Sequence, residues 1–195
     1  MGRGGACPGA YTGAVSGDPF ETLGVPARFD LEAADLDRAY FGRSAALHPD
    51  IASGNPDAAR RMAELNRAKE ILSSPERRAD ALLRRLGGPD RSEHRQLPPA
   101  FLAEIMEVRE EIEAALAAAP ERREQERLRW EAWAEGERSR AIEEVGEMFR
   151  GLASPGDPEG LRAIRTRLNA WRYIERLIEQ LDPAYDPARA DLEDR

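Results

Sequence analysis

The chain has 195 residues, 41% hydrophobic and 34% charged, with a formal net charge of −8. Such a balance suits a soluble helical protein with modest cores, and its acidity argues against general nucleic-acid binding and against an anionic membrane surface, which ask for a surplus of Lys and Arg. The single cysteine, Cys7, excludes an internal disulfide, and with His48 and His94 it cannot complete a four-ligand zinc or iron–sulfur site, so neither a metal nor a cofactor is expected in this chain.

Residues 1–17 are rich in Gly, Ala and Ser and read as a disordered tail. They hold one Arg and no apolar block, so they do not read as a signal peptide. No apolar run approaches the roughly 20 residues of a membrane span. The cytoplasm is the expected compartment. A short helix starts at Asp18-Pro19-Phe20, with Asp18 as cap, and stops at Gly24 and Pro26. Asp30 is a candidate cap for the next helix, whose apolar pattern runs from Leu31 to Leu47 with Leu36, Tyr40 and Leu47 inward. Arg38, Phe41 and Arg43 lie off that stripe, and both arginines are expected to reach solvent. His48-Pro49-Asp50 follows, and proline disfavours helical geometry in the residue before it, so the helix should end at or near His48. Residues 51–56 read as a loop.

Asp57 is a candidate cap for a helix with Met62, Leu65, Ala68 and Leu72 at helical spacing. Ser73-Ser74-Pro75 interrupts it, and Glu76 to Leu86 reads as a further short helix. Gly87-Gly88-Pro89 and the polar run to Pro98-Pro99 mark the best domain boundary. His94 is expected to be solvated there. Three long amphipathic helices follow. The first spans about Pro99 to Ala119, with Leu102, Ile105, Val108, Ile112 and Leu116. The second spans about Glu121 to Leu152, with Leu128, Ala132, Ile142, Val145, Phe149 and Leu152, and with Gly136 as a point of weakness. The last spans about Glu159 to Leu181 and has the cleanest stripe: Leu161, Ile164, Leu168, Trp171, Ile174, Ile178 and Leu181. Short connectors predict an antiparallel three-helix bundle. Trp130 and Trp133 stand among charged residues and receive no role. No strand pattern appears. The predicted organisation is all-α: tail 1–17, first domain 18–88, linker 89–98, bundle 99–182 and tail 183–195.

Chemistry concentrates at the elbow between the first two long helices. Pro49 fixes one backbone angle and so limits how His48 and Asp50 point. A fixed carboxylate at Asp50 can take a charge-assisted, directional bond from an Arg of a partner. Catalysis is a poor fit, because no second titratable group or nucleophile is paired with His48. No Gly-rich phosphate loop is present, since Gly87-Gly88 lacks the following Lys-Ser/Thr. On the Pro99 to Ala119 helix, Leu102, Met106, Arg109 and Glu110 share one region at spacings of three, four and one. An apolar centre with a polar rim is what a modest protein interface needs, and Met adapts its shape to a partner.

Residues 18 to about 85 resemble a J-domain, the module that stimulates ATP hydrolysis by DnaK-type chaperones. The resemblance rests on Leu36, Ala39 and Tyr40, on His48-Pro49-Asp50, on Glu64-Leu65-Asn66-Arg67-Ala68 and on Ile71-Leu72-Ser73-Ser74-Pro75-Glu76-Arg77-Arg78. It implies that His48, Pro49 and Asp50 contact the chaperone, helped by Arg38 and Arg43. Asp18-Pro19-Phe20-Glu21-Thr22-Leu23-Gly24-Val25-Pro26 resembles the opening of the HscB family of iron–sulfur co-chaperones, as does Ala52-Ser53-Gly54. The run from Leu97 through Pro98-Pro99-Ala100-Phe101 to Ile112 resembles the block that begins the family's C-terminal bundle and touches the cluster scaffold IscU. Trp171-Arg172-Tyr173-Ile174 resembles a second part of that surface.

Membership would make the chain a non-enzymatic co-chaperone with two protein partners, a DnaK/HscA-type ATPase and an IscU-type scaffold. Scaffold contact would fall to Leu102, Met106, Glu107, Arg109, Glu110 and Tyr173. Three positions depart from the family pattern: Ile51 stands where J-domains carry Lys, Lys69 where the third helix carries an aromatic, and Ala103 where the scaffold block has a larger apolar residue. These departures leave an alternative, a J-domain adaptor for a general DnaK chaperone with another client.

Overall fold

A computed structural model describes residues 17–47, 57–117, 119–154 and 156–181. The described residues form seven α-helices and no strand. The elbow tripeptide, Ile51, the loop at 51–56, Cys7 and residues 182–195 lie outside them. None of the described helices is long and apolar enough to cross a membrane.

Helix α1, Pro19–Leu23, is set by its ends. Asp18 accepts from the Phe20 N–H at 2.8 Å, and Gly24 closes the helix at φ 69°, its N–H donating to the Phe20 carbonyl at 2.8 Å. Helix α2, Ala33–Ala46, begins later than its apolar pattern. Asp30 does not cap it: Glu32 holds the cap position without a side-chain bond, and Asp30 accepts from Arg150 at 3.0 Å. The reason is tertiary. Phe29 and Leu31 are buried, and an extended stretch lets both reach the core before the helix starts.

Helix α3, Ala58–Ser73, turns Leu65, Ala68 and Leu72 inward. Asp57 makes no cap bond to α3; its carboxylate pairs with Arg60 instead. Ser74 caps α4, Pro75–Arg85, which buries Ala79, Leu82 and Leu83.

Helix α5, Phe101–Leu116, starts two residues after Pro99 because Ala100 adopts the left-handed conformation, φ 65°. Helix α6, Pro120–Arg150, runs 31 residues without a break at Gly136. Helix α7, Pro158–Leu181, is capped by Asp157, whose carboxylate accepts from the N–H groups of Glu159 and Gly160, each at 3.1 Å. The α6–α7 hairpin is the spine of the molecule. One end of it, with Ala141, Val145, Leu161, Ile164, Leu168 and Trp171, shares a single core with α1 to α4. The other end, with Trp130, Ala134 and Leu177, packs on Ile105 and Ile112 of α5 in a second core.

Two sequence expectations fail on α6. Leu128 is 54% exposed and Ala132 is exposed, while Trp130, at 6%, and Ala134 face inward. Trp130 and Trp133, which stand among charged residues in the sequence, meet edge to face at 5.5 Å in the second core. Flanking charges swing outward on the other sides of the helix: Arg129 pairs with Glu126, and Arg127 with Glu124 and Glu131.

The polar stretch at 89–98 is tied down along its length. Arg165, its side chain 3% exposed, donates to the Pro89 carbonyl at 3.0 Å and pairs with Asp80 at 2.6 Å. Asn169 donates to the carbonyls of His94 and Gln96 at 2.8 and 2.9 Å. The His94 ring lies 3.0 Å from the Thr166 hydroxyl and is half-buried, not solvated.

Candidate docking surfaces

The first surface belongs to the α2–α3 hairpin. Leu36, Leu65, Ala68 and Leu72 form its buried seam. Two polar ties set its geometry. The Tyr40 hydroxyl donates to Asn66 Oδ1 at 2.8 Å, and Lys69 Nζ lies 2.7 Å from Asp37. Lys69 thus ties α3 to α2 through an ion pair at the hairpin's edge. These ties fix α2 against α3 up to Ala46, two residues before His48 in the sequence.

The two arginines assigned to this surface differ. Arg38 is an outward side chain, 77% exposed, paired with Asp35 at 3.0 Å. Arg43 is exposed along its length, yet its Nε donates to the Leu23 carbonyl at 2.8 Å. A Cβ at Gly24 would sit 1.7 Å from the Arg43 guanidinium, so Gly24 serves both its positive φ and this seat. Arg43 therefore joins α2 to the end of α1 as well as facing solvent. His48, Pro49 and Asp50 lie outside the described residues.

The second surface is the outer face of α5. Leu102 and Met106 are 53% and 55% exposed, one turn apart, with Ala103, Glu107, Arg109 and Glu110 exposed around them. Ile105 and Ile112 on the opposite face are buried, so the helix separates its core stripe from its outer stripe. Arg109 donates to Glu113 at 2.9 Å and keeps an exposed head. Tyr173 comes from α7, 41% exposed, its ring edge-on to Phe101 at 6.1 Å. Phe101 is the residue that sequence reasoning missed: it brings Tyr173 next to the start of α5, beside Leu102. Nothing local in the sequence signals that aromatic pair.

Between the two surfaces lies a charged cleft of about 770 Å³, lined by α3, α4 and α7. Its floor carries Arg165 with Asp80, and Glu76 lies 3.8 Å from Arg172. Burial pushes the Glu76 carboxyl above the usual glutamate range; Arg172 opposes this, while Asp80 and Glu175 add to it. The cleft holds opposite charges against each other across the two halves.

Four helices, α1 to α4, packed on a long helical hairpin that carries a further helix with an exposed apolar strip, are the frame of a J-domain protein with a C-terminal helical domain. Residues 18–80 match the DnaJ domain family, and residues 97–182 match the HSCB C-terminal oligomerisation domain. The co-chaperone protein HscB homolog of Paraburkholderia phytofirmans is 36% identical over 149 residues, which is 68% of this chain and 85% of the relative. The mitochondrial J-type co-chaperone jac1 of Schizosaccharomyces pombe is 31% identical over 157 residues, 78% of this chain and 65% of the relative. Among solved structures, chaperone HscB from Vibrio cholerae superposes with a TM-score of 0.68 at 22% identity, covering 84% of this chain and 94% of that one. Human co-chaperone protein HscB gives 0.67 at 21% identity, with 85% and 81% covered. The structural likeness speaks for the fold; the sequence relatives speak for the family. This chain belongs to the HscB family of J-domain co-chaperones, the class that serves iron–sulfur cluster assembly.

Proposed function

We propose that this chain stimulates the ATPase of a DnaK/HscA-type chaperone through residues 18–88 and delivers an IscU-type iron–sulfur scaffold through residues 99–182. In this reading His48, Pro49 and Asp50 grip the chaperone, with Arg38 as an outward basic group and Arg43 holding α2 in place beside them. Leu102, Met106, Glu107, Arg109, Glu110 and Tyr173 take the scaffold. The observation that carries the reading is the split face of α5: Met106 is 55% exposed while Ile112, on the same helix, is 2% exposed. A helix that already buries a full core stripe has no structural use for a second apolar stripe in water.

In this reading the chain itself performs no chemistry; turnover belongs to the ATPase partner. Two modest contacts on one body raise the concentration of each partner at the other. The tie-down of residues 89–98 onto α7 supports this, because a fixed arm wastes less of that effective concentration than a loose one. The test is the ATPase rate of an HscA-type chaperone with the full chain and scaffold, repeated with His48→Gln. Stimulation should vanish while scaffold binding persists. Loss of scaffold binding by the same variant would show that the two surfaces do not act separately.

A further inference from the structure

We propose that the main anchor of α2 on the chaperone is a bare aromatic side chain, Phe41, with Arg38 supplying a local contact and no long-range positive field. The inference rests on the docking role given to the His48 elbow and names the chemistry of the contact beside it. Phe41 is 66% exposed, more than any other large hydrophobic side chain among the described residues. It lies off the core stripe and packs into neither core.

Its ring is held. It meets Tyr40 edge to face at 5.6 Å, and the Tyr40 hydroxyl is bonded to Asn66 on α3. A ring positioned in this way loses little freedom on binding. Its neighbours on the helix surface toward the C-terminal end, Ser44 and Ala45, are too small to shield it, and on the N-terminal side Asp37 and Arg38 are engaged with Lys69 and Asp35. The result is a single apolar knob with small residues on one side and paired charges on the other, seven residues before His48.

The charges of α2 point the same way. Asp35 and Asp37 balance Arg38 and Arg43, so the helix carries no net charge. Arg38 pairs with Asp35, Asp37 with Lys69, and Arg43 Nε is bonded to the Leu23 carbonyl. A surface neutralised in this way, on a chain of net charge −8, cannot steer an acidic partner by long-range attraction. What remains for affinity is desolvation of the ring in an apolar pocket of the partner. A second copy of this chain is a poorer occupant. The exposed part of one phenylalanine is on the order of 130 Å², against roughly 800 Å² per partner in a standard stable interface. An anchor of this size works as an addition to a contact already made by the neighbouring elbow.

The experiment titrates full-length protein into an ATP-loaded HscA-type chaperone and reads half-maximal ATPase stimulation. Phe41→Ser should raise the concentration needed by about tenfold, the loss expected of an interface anchor, and Phe41→Leu should restore most of it. Both variants should melt with the parent, because the ring is outside the cores. For the parent, raising salt from about 50 to about 300 mM should change the half-point by less than about threefold. Two results overturn the inference while leaving the elbow reading intact: stimulation by Phe41→Ser equal to the parent while His48→Gln abolishes it, or a steep salt dependence removed by Arg38→Gln. A concentration-dependent mass lost in Phe41→Ser would assign the ring to a second copy and also overturn it. Full stimulation by His48→Gln would sink the elbow reading, and the anchor with it.

Discussion

The sharpest test of the packing between the two halves lies at Arg165. Its side chain is 3% exposed, and it bonds to Asp80 on α4 and to the Pro89 carbonyl. Asp80 is 30% exposed and also pairs with Arg84 at 3.1 Å. The two ends of the pair are therefore unequal. Removing one partner of a fully buried pair costs about 3–5 kcal/mol, mostly the penalty of the charge left behind. Asp80→Ala strands a desolvated guanidinium that retains one carbonyl; partial exposure of the carboxylate reduces the expected cost to about 2–3 kcal/mol. Arg165→Met keeps the apolar stem and removes the charge, while Asp80 retains Arg84 and water, so the cost should be about 1 kcal/mol or less. Asp80→Asn, which keeps an acceptor, should fall between. Urea denaturation of the full chain gives the free energies, and for a chain of this size the melting shift for Asp80→Ala should be about 5–10 °C. If Arg165→Met destabilises more than Asp80→Ala, the desolvated charge does not dominate this contact and the reasoning fails.

On α5, Met106→Ser should weaken scaffold binding and leave the melting temperature unchanged, whereas Ile112→Ala should cost about 2–4 kcal/mol of stability; a large melting shift for Met106→Ser would place that residue in the core. Glu76 gives a pH signature. Because burial raises its folded value above the unfolded one, the folded state holds this proton more tightly, and stability falls as pH rises through the raised value. Glu76→Gln should therefore melt higher than the parent at pH 7, with the gap closing as pH drops below the ordinary glutamate range; a lower melt at pH 7 would mean that Arg172's attraction outweighs burial. The glycines of α6 separate propensity from packing. Gly136→Ala meets nothing within 4 Å and should stabilise by about 1 kcal/mol. Gly146→Ala would set its Cβ 3.3 Å from the Phe29 ring, which is stacked on Phe149 and covered by Arg78, so the same gain should be absent. Equal gains at both sites, read by thermal melting, would show that Phe29 yields.

The helices were legible because their signals are local. Asp18 with Gly24 bounds α1, Ser74-Pro75 starts α4, and the stripe from Leu161 to Ile178 defines α7, each within a few residues of chain. The outer face of α5 was legible too, since Ile105, Val108 and Ile112 fill the core stripe and leave Leu102 and Met106 outside. The resemblance at the elbow and at Leu97 to Ile112 carried the family.

What the tertiary structure decided depends on residues far apart in sequence. Leu128 and Trp130 have similar claims to the inner face of α6, and only docking against Leu177 and Ile112 buries Trp130. His94 reads as a linker residue until Thr166, 72 positions later, comes within 3.0 Å. Asp30 has the chemistry of a helix cap, but Arg150 claims it across the fold. Arg165 and Asn169 look like surface residues of an amphipathic helix and instead fasten the segment joining the halves. Helical periodicity is set by contacts three and four residues apart, so a chain of residues encodes it by itself; which polar group is buried, and which half of a 31-residue helix meets which neighbour, is settled only when distant surfaces exclude water together.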